Sequence, residues 1–344
     1  MFKKIENNNS EKEDYNYFNN VGVMKAIKGK HKEALKDFNK SIELNSNIAE
    51  TFYNRGLVKI ILNDLRGGLD DLNKAIQLKN NFTDAYYNRG VLKLKFKDYK
   101  GALEDFNNTI NIDTNYKEAF YNRGITKAKL NDLQGALDDF YKALELESNN
   151  GIIYYNIGNI KASMKNYEEA IKNYNKAIEL GFESSELYNN LGSALAKNRD
   201  YINAIKYINK AIEIDSKNAE AYCNRGHIKY DMKNYEESLK DFNESIKLNP
   251  TYADAYYNRG ILNFNIGNLK EALEDFNMVI KLNPNDVDAY YNCSLIKVEL
   301  GNLTAAIEDL KKLGELGYIQ AFEIIKQINK IKEGKQWKKP YFYF

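Results

Sequence analysis

Residues 253–276 have the sequence ADAYYNRGILNFNIGNLKEALEDF, and the same pattern recurs along the chain. Its glycine returns every 34 residues, at Gly22, Gly56, Gly90, Gly124, Gly158, Gly192, Gly226 and Gly260, with Ser294 in the ninth place. If this glycine is numbered position 8, nine units of 34 residues cover residues 15–320. A fixed period of this length is typical of arrays of stacked structural repeats.

Three further positions indicate the secondary structure of a unit. Position 4 is aromatic in all nine units, position 20 is small, and position 24 is bulky, as in Tyr256, Ala272 and Phe276. Positions 20 and 24 lie one turn apart on the same face of a helix. The spacing predicts helix A over about positions 1–14 and helix B over about positions 18–31 of each unit.

The segments ADAYYNRG (253–260) and EALEDF (271–276) resemble the tetratricopeptide repeat family in their aromatic, glycine, alanine and aromatic positions. The resemblance implies an all-α fold, an α-solenoid in which nine helical hairpins form a right-handed superhelix with the A helices lining a concave groove. Such a stack needs a polar cap. Ala321, Ile324, Ile325 and Ile328 recur at helical spacing, which predicts a capping helix near 319–332 and a repeat domain over 15–332.

The two ends of the chain differ from the repeats. Residues 1–14 are polar and charged, so we expect a flexible segment there. Residues 333–344 form a basic, aromatic tail. Two interpretations of the tail remain open: a frayed end without function, or a peptide that docks on a partner or in the groove.

Composition excludes several classes of protein. The 344 residues include 50 basic and 48 acidic side chains, and the resulting net charge of +2 is too small to attract the chain to nucleic acid or to an anionic membrane. Two cysteines cannot make a disulfide framework, and residues 1–14 lack the apolar core of a secretory signal. No stretch approaches the roughly 18 apolar residues of a membrane-spanning helix. We expect a cytoplasmic protein that binds neither nucleic acid nor membranes.

Arginine at position 7 and aspartate at position 23 occur together. Five units carry both, in the pairs Arg55 and Asp71, Arg89 and Asp105, Arg123 and Asp139, Arg225 and Asp241, and Arg259 and Asp275. Units five and six carry neither. We therefore predict buried, bidentate ion pairs between helices A and B of one repeat. The lysines at position 11 are expected to be solvated.

Position 6 is asparagine in every unit: Asn20, Asn54, Asn88, Asn122, Asn156, Asn190, Asn224, Asn258 and Asn292. A carboxamide offers both a donor and an acceptor, so a row of them can hold the main chain of an extended peptide whatever its side chains. The row is similar to the asparagine ladder in the repeat domain of O-linked N-acetylglucosamine transferases, which holds client polypeptides. The resemblance to those enzymes is limited to this row of asparagines. The alternative is a neutral residue copied by duplication in an asparagine-rich chain.

Other positions of helix A complete the predicted groove. Position 2 is acidic in seven units, which favours a neutral-to-basic ligand: Glu50, Asp84, Glu118, Glu186, Glu220, Asp254 and Asp288. Position 5 offers rigid aromatic surfaces for side-chain stems and cations, at Tyr53, Tyr87, Tyr121, Tyr155, Tyr257 and Tyr291.

Units five to seven depart from this pattern. Position 9, apolar elsewhere, becomes Asn159, Ser193 and His227. Position 5 changes to Asn189 and Cys223, which we expect to widen the groove into a more polar pocket. We predict that specificity resides in these units; the alternative is degeneration under weak constraint.

Catalysis has little support in the sequence. It contains no glycine-rich phosphate loop, nucleophile elbow or paired metal motif. Cys223 and His227, with Glu220 and Asp231 on the same face, could bind zinc or form a nucleophilic dyad, but one such pair is a weak signal. We expect no cofactor, no metal and no enzyme activity.

These features predict a non-enzymatic scaffold or adaptor that binds an extended polypeptide in its groove. The first alternative is a structural assembly protein that self-associates as a homo-oligomer through its stack ends or convex face. Nucleic-acid binding is a more distant alternative, because the net charge and the acidic row disfavour it.

Overall fold

This computed structural model describes residues 2–4 and 14–332 of the chain. Those residues form nineteen α-helices and no strand. The helices are α1 (Tyr15–Ile27), α2 (His31–Leu44), α3 (Ala49–Ile61), α4 (Leu65–Leu78), α5 (Thr83–Lys95), α6 (Tyr99–Ile112), α7 (Lys117–Lys129), α8 (Leu133–Leu146), α9 (Gly151–Ser163), α10 (Tyr167–Glu179), α11 (Ser185–Lys197), α12 (Tyr201–Ile214), α13 (Ala219–Asp231), α14 (Tyr235–Leu248), α15 (Ala253–Asn265), α16 (Leu269–Leu282), α17 (Val287–Glu299), α18 (Leu303–Glu315) and α19 (Gln320–Lys332).

The predicted all-α repeat fold is confirmed. The odd-numbered helices α1 to α17 are the A helices and occupy positions 1–13 of their repeats. The B helices begin at position 17, one residue earlier than the sequence predicts. The predicted capping helix is α19, which packs against α18 with Ala321, Ile324 and Ile328 buried. The tail over 333–344 lies outside the described residues, as do residues 5–13 of the N-terminal segment.

One turn joins helix A to helix B in all nine repeats. Position 15 has a φ between +61° and +85°, although six of the nine residues are not glycine. The residue after it is the N-cap of helix B. Asp98, for example, accepts a hydrogen bond from the amide of Gly101 at 3.0 Å. The left-handed residue and the cap together reverse the chain over three residues.

Helix contacts divide the chain into two compact units, with the boundary between Ile160 and Lys161 inside α9. Within the first unit, α1 to α8 pack each against the next, and α10 to α19 do so within the second. The repeated glycine permits this approach of helices A and B. A Cβ added at Gly124 would lie 2.7 Å from Cε1 of the buried Phe140 ring. Position 8 is therefore small because position 24 is bulky.

The five predicted arginine–aspartate pairs are confirmed as buried bidentate bridges. In the fourth repeat, Nε and Nη2 of Arg123 donate to the two oxygens of Asp139 at 2.9 and 2.6 Å, and Asp139 is 3% exposed. The arginine also donates Nη1 to Asn107 of the preceding repeat at 2.8 Å. Each cluster therefore links helix A, helix B and the neighbouring repeat.

The expectation that the position-11 lysines are solvated is wrong. The ammonium of Lys127 lies 2.8 Å from Oδ2 of Asp139, and Lys59, Lys93 and Lys229 make the same contact in their repeats. A buried carboxylate needs more than one partner to offset its lost hydration, so it draws in the nearby lysine as well as the arginine.

Candidate functional site

The position-6 asparagines form hydrogen-bonded rungs between neighbouring A helices. In seven repeats the Nδ2 atom donates to the position-5 side chain of the preceding repeat. The rungs are Asn54 to Asn19 (2.9 Å), Asn88 to Tyr53 (3.2 Å), Asn122 to Tyr87 (3.0 Å), Asn156 to Tyr121 (3.2 Å), Asn224 to Asn189 (2.9 Å), Asn258 to Cys223 (3.4 Å) and Asn292 to Tyr257 (3.4 Å). Asn20 and Asn190 are half-buried.

In four of these repeats the remaining N–H is used as well. Asn88, Asn122, Asn156 and Asn292 donate to the carbonyl four residues earlier at 2.8–3.0 Å. The Oδ1 atoms of these four side chains accept no hydrogen bond from the described part of the chain, and the side chains are half-buried. From the sequence, both the N–H donors and the Oδ1 acceptor of each carboxamide are expected to contact a ligand. In these four folded repeats the N–H groups are already bound within the protein, and only Oδ1 remains for a ligand.

The position-5 tyrosines lie deeper than predicted. Tyr53 is 1% exposed, whereas Tyr87, Tyr121, Tyr155, Tyr257 and Tyr291 are half-buried. Burial raises the pKa of Tyr87 and of Tyr121, so their hydroxyls stay neutral and accept the rung hydrogen bond. Their first role is therefore to support the ladder, and only part of each ring faces outward.

Acidic side chains accompany the ladder one helical turn away. Glu118, Glu186, Glu220, Asp254 and Asp288 are exposed at position 2. Within each compact unit, we call the surface formed by positions 2, 6 and 9 of its A helices the A-helix face; these positions share one side of a helix. The face combines carboxamide acceptors with negative charge, which suits main-chain donors and cationic side chains.

The N-terminal segment Phe2–Lys4 lies on the A-helix face of repeats one to three. The amide of Lys3 donates to Oδ1 of Asn54 at 2.8 Å, and Nδ2 of Asn54 donates to the carbonyl of Lys3 at 2.7 Å. The ammonium of Lys3 pairs with Asp84. Nothing in the sequence pattern marks this segment as a ligand, because three residues carry no periodicity.

The predicted specificity residues are only partly brought together. Ser193 and His227 line a cavity of about 70 Å³. Asn159, also half-buried, belongs to the first unit. Asn189 and Cys223 are 2% and 1% exposed and do not line this cavity, so their predicted widening of the groove stays a prediction. Both are buried because they accept rung hydrogen bonds from the next repeat.

The candidate cysteine–histidine pair lacks the features of a nucleophile. Burial raises the pKa of the Cys223 thiol to about 12, so it stays protonated at neutral pH. Burial lowers the pKa of His227, and its Nε2 lies 3.9 Å from Asp231. Across residues 2–4 and 14–332, no group of three or more His, Cys, Asp or Glu side chains is arranged to hold a metal ion.

A larger cavity of about 350 Å³ lies beside the last rung. Its walls include Tyr257, Ile261, Asp288, Asn292 and Tyr318. Its lining combines apolar side chains with one carboxamide and one carboxylate, the same two groups that Asn54 and Asp84 offer to Phe2–Lys4 in the first unit.

Among the described helices, none has the length and apolar character needed to cross a bilayer.

Comparison with known sequences identifies the repeats. Family profiles described as TPR repeat and tetratricopeptide repeat match residues 15–48, 118–150, 152–181, 185–218, 226–267, 253–286 and 287–316. No curated protein sequence matches the chain.

Comparison with solved structures shows the fold. A tetratricopeptide repeat protein from Parabacteroides merdae is 20% identical, with 76% of this chain and 98% of that chain covered and a TM-score of 0.54. PilF of Pseudomonas aeruginosa is 17% identical, with 60% and 94% covered and a TM-score of 0.53. YrrB, described as a TPR protein with an unusual peptide-binding site, is 28% identical, with 54% and 96% covered and a TM-score of 0.44.

Proposed function

Since the chain belongs to the tetratricopeptide repeat family, whose members typically bind peptides or proteins, we propose that it is a non-enzymatic interaction scaffold that binds an extended polypeptide along the A-helix face. The position-6 carboxamides hold the main chain of the ligand. The position-2 carboxylates favour neutral or basic sequences. Proteins of this family are generally non-catalytic, and the high pKa of the Cys223 thiol is consistent with that role.

The observation that carries the proposal is the contact between Asn54 and Lys3. One carboxamide pairs with both main-chain groups of an extended residue, at 2.8 and 2.7 Å, while its other N–H keeps the rung to Asn19. This two-point contact uses no ligand side chain, so it tolerates any sequence.

The other position-6 carboxamides can contact a ligand main chain in the same way. At Asn122 the N–H that Asn54 gives to Lys3 is bound to the carbonyl of Glu118, and Oδ1 is available. A ligand carbonyl would replace that intrahelical acceptor. Each hydrogen bond contributes a net of about 0.5–1.5 kcal/mol, so several rungs together give roughly micromolar affinity, about −8 kcal/mol.

A peptide library tests the proposal. Random dodecapeptides are selected on the wild-type protein, and their affinities are measured for an Asn122→Ala/Asn156→Ala variant. The matched control is Tyr87→Phe/Tyr121→Phe, which removes the acceptors of the same two rungs and keeps both carboxamides. Melting temperatures of the two variants are compared first, so that a stability loss is not mistaken for a binding loss.

We expect selected peptides to bind wild type and the tyrosine control alike, and to bind the asparagine variant about tenfold more weakly, since the Oδ1 acceptors of two carboxamides are lost. Failure to enrich any peptide would contradict the proposal. Equal affinity for the asparagine variant at equal melting temperature would contradict it too.

A further inference from the structure

The site that Phe2–Lys4 occupies is built from three consecutive repeats. Asn54 of repeat two is fully buried and holds the main chain of Lys3. Asn19 of repeat one, also fully buried, accepts the rung from Asn54 and donates Nδ2 to the carbonyl of Lys3 at 3.3 Å. Asp84 of repeat three pairs with the ammonium of Lys3 and accepts a hydrogen bond from Tyr116 at 3.2 Å. The site therefore recognises the main chain and the charge of a lysine.

The same three residue types recur five repeats later, as Asn189, Asn224 and Asp254. Among the nine repeats, asparagine occupies position 5 at Asn19 and Asn189, and the other repeats have tyrosine or cysteine there. The rung is also the same: Asn224 donates to Oδ1 of Asn189 at 2.9 Å, as Asn54 does to Asn19. The second unit thus repeats the constellation that holds Lys3 in the first.

The contacts of the second constellation are those of an open site. Nδ2 of Asn189 donates to Glu220 at 3.0 Å, whereas the matching atom of Asn19 donates to Lys3. The Asp254 side chain is exposed and makes no ion pair with the described residues, whereas Asp84 pairs with a lysine. The carboxylate that Lys3 uses in repeats one to three is thus exposed in repeats six to eight, and the matching donor is held by the exposed Glu220, which a ligand carbonyl would replace.

The neighbouring pocket differs between the two sites. Phe2 packs against the apolar clusters that contain Val23 and Leu57. The residues five repeats later are Ser193 and His227, and they line the cavity of about 70 Å³ together with Asn224. A phenylalanine would bury apolar surface against polar groups there, so the residue before the lysine should be polar.

We infer that repeats six to eight hold a second, open peptide site, formed by Asn189, Asn224 and Asp254 with Ser193 and His227. It takes an extended segment of a partner protein in which a small polar residue precedes a lysine. Phe2–Lys4 is the internal ligand of the first site. The inference rests on the proposed function, because it assigns a sequence preference to part of the same A-helix face.

Labelled hexapeptides test the inference on the full chain by fluorescence anisotropy. The probe is acetyl-Ala-Ser-Lys-Lys-Ala-Ala-amide. Two comparison peptides replace its serine by phenylalanine or both of its lysines by glutamine. The protein variants are Asp254→Asn at the second site and, as the matched control, Asp138→Asn, which changes an exposed aspartate on a B helix outside the A-helix face.

We expect the serine–lysine probe to bind wild type and Asp138→Asn equally and to bind Asp254→Asn about tenfold more weakly, with a similar loss for the glutamine peptide. Binding that is indifferent to Asp254→Asn or to the loss of lysine overturns the inference. Tighter Asp254-dependent binding of the phenylalanine peptide also overturns it, and assigns the site to Phe2–Lys4 of a second copy.

The library experiment separates this inference from the proposed function. If library peptides depend on Asn122 and Asn156 while the serine–lysine probe does not bind, the second site is wrong and the ladder function stands. If neither binds, both proposals are overturned.

Discussion

At the scale of single residues, the buried aspartates at position 23 are acidic side chains that lose their hydration and depend on basic partners. Asp105 is fully buried and has an arginine and a lysine as partners, at 2.6 and 2.8 Å. Such a cluster is near neutral in net stability when complete, because desolvation offsets the attraction. Removing a single member of the cluster is costly, since the remaining charges stay buried without their partner.

Asp139→Asn should therefore lower the free energy of unfolding by about 3–5 kcal/mol, because it leaves Arg123 and Lys127 without their carboxylate. The measurement is the urea midpoint at neutral pH. Asp138→Asn, an exposed neighbour in the same helix, is the control and should change the midpoint little. Equal midpoints for the two variants would exclude a buried ion cluster.

The sequence could predict half of this cluster. Arg and Asp at positions 7 and 23 occur together in five repeats and are both absent from two, and that covariation indicates contact. The lysine at position 11 has no such signal. Lys161 remains at position 11 in the fifth repeat, where Arg and Asp are both missing, so its occurrence does not follow theirs. Only the packed helices show that a lysine stem is long enough to reach the carboxylate.

At the scale of the element, the conformation of the turn between helices A and B varies less among the repeats than its sequence does. Position 15 is left-handed in every repeat, yet Lys97 and Lys165 occupy it at a φ of +61°. A non-glycine residue there costs free energy, which the surrounding hairpin offsets. The sequence predicted the helices but placed the start of helix B one residue late, because most of these turns lack the glycine that would mark them.

The cap that follows the turn gives a matched pair of variants. Asp98→Ala removes the hydrogen bond to Gly101 and should lower the free energy of unfolding by about 1 kcal/mol. Asn234→Ala changes the N-cap of α14, whose side chain makes no cap hydrogen bond, and should cost less. The urea midpoints of both variants measure the difference. An equal loss in both would mean that the cap hydrogen bond contributes nothing.

At the scale of the whole molecule, the position-6 asparagines connect neighbouring repeats within each compact unit. Their Nδ2 atoms donate to the preceding A helix, and the proposed function assigns their Oδ1 atoms to an extended ligand. The sequence predicted the row from its invariance, but could not predict the rungs, because they depend on how far one A helix stands from the next. It also could not place Phe2–Lys4 on Asn54, since that contact follows from the folded surface rather than from a repeated pattern.

The decisive question is whether a ligand is held by its main chain. A library-selected peptide is therefore synthesised as a series with a single N-methyl group at each successive amide, which removes one donor at a time. Affinities are measured for wild type and for Asn122→Ala/Asn156→Ala, so that the coupling between each amide and the carboxamides is obtained directly.

If the carboxamides accept from the ligand main chain, N-methylation at the rung amides should weaken binding to wild type by about 0.5–1.5 kcal/mol each and have little further effect on the asparagine variant. Alanine replacement of neutral ligand side chains should matter less. The contrary result is a series in which every N-methylated peptide binds wild type as tightly as the parent while a single side-chain replacement abolishes binding.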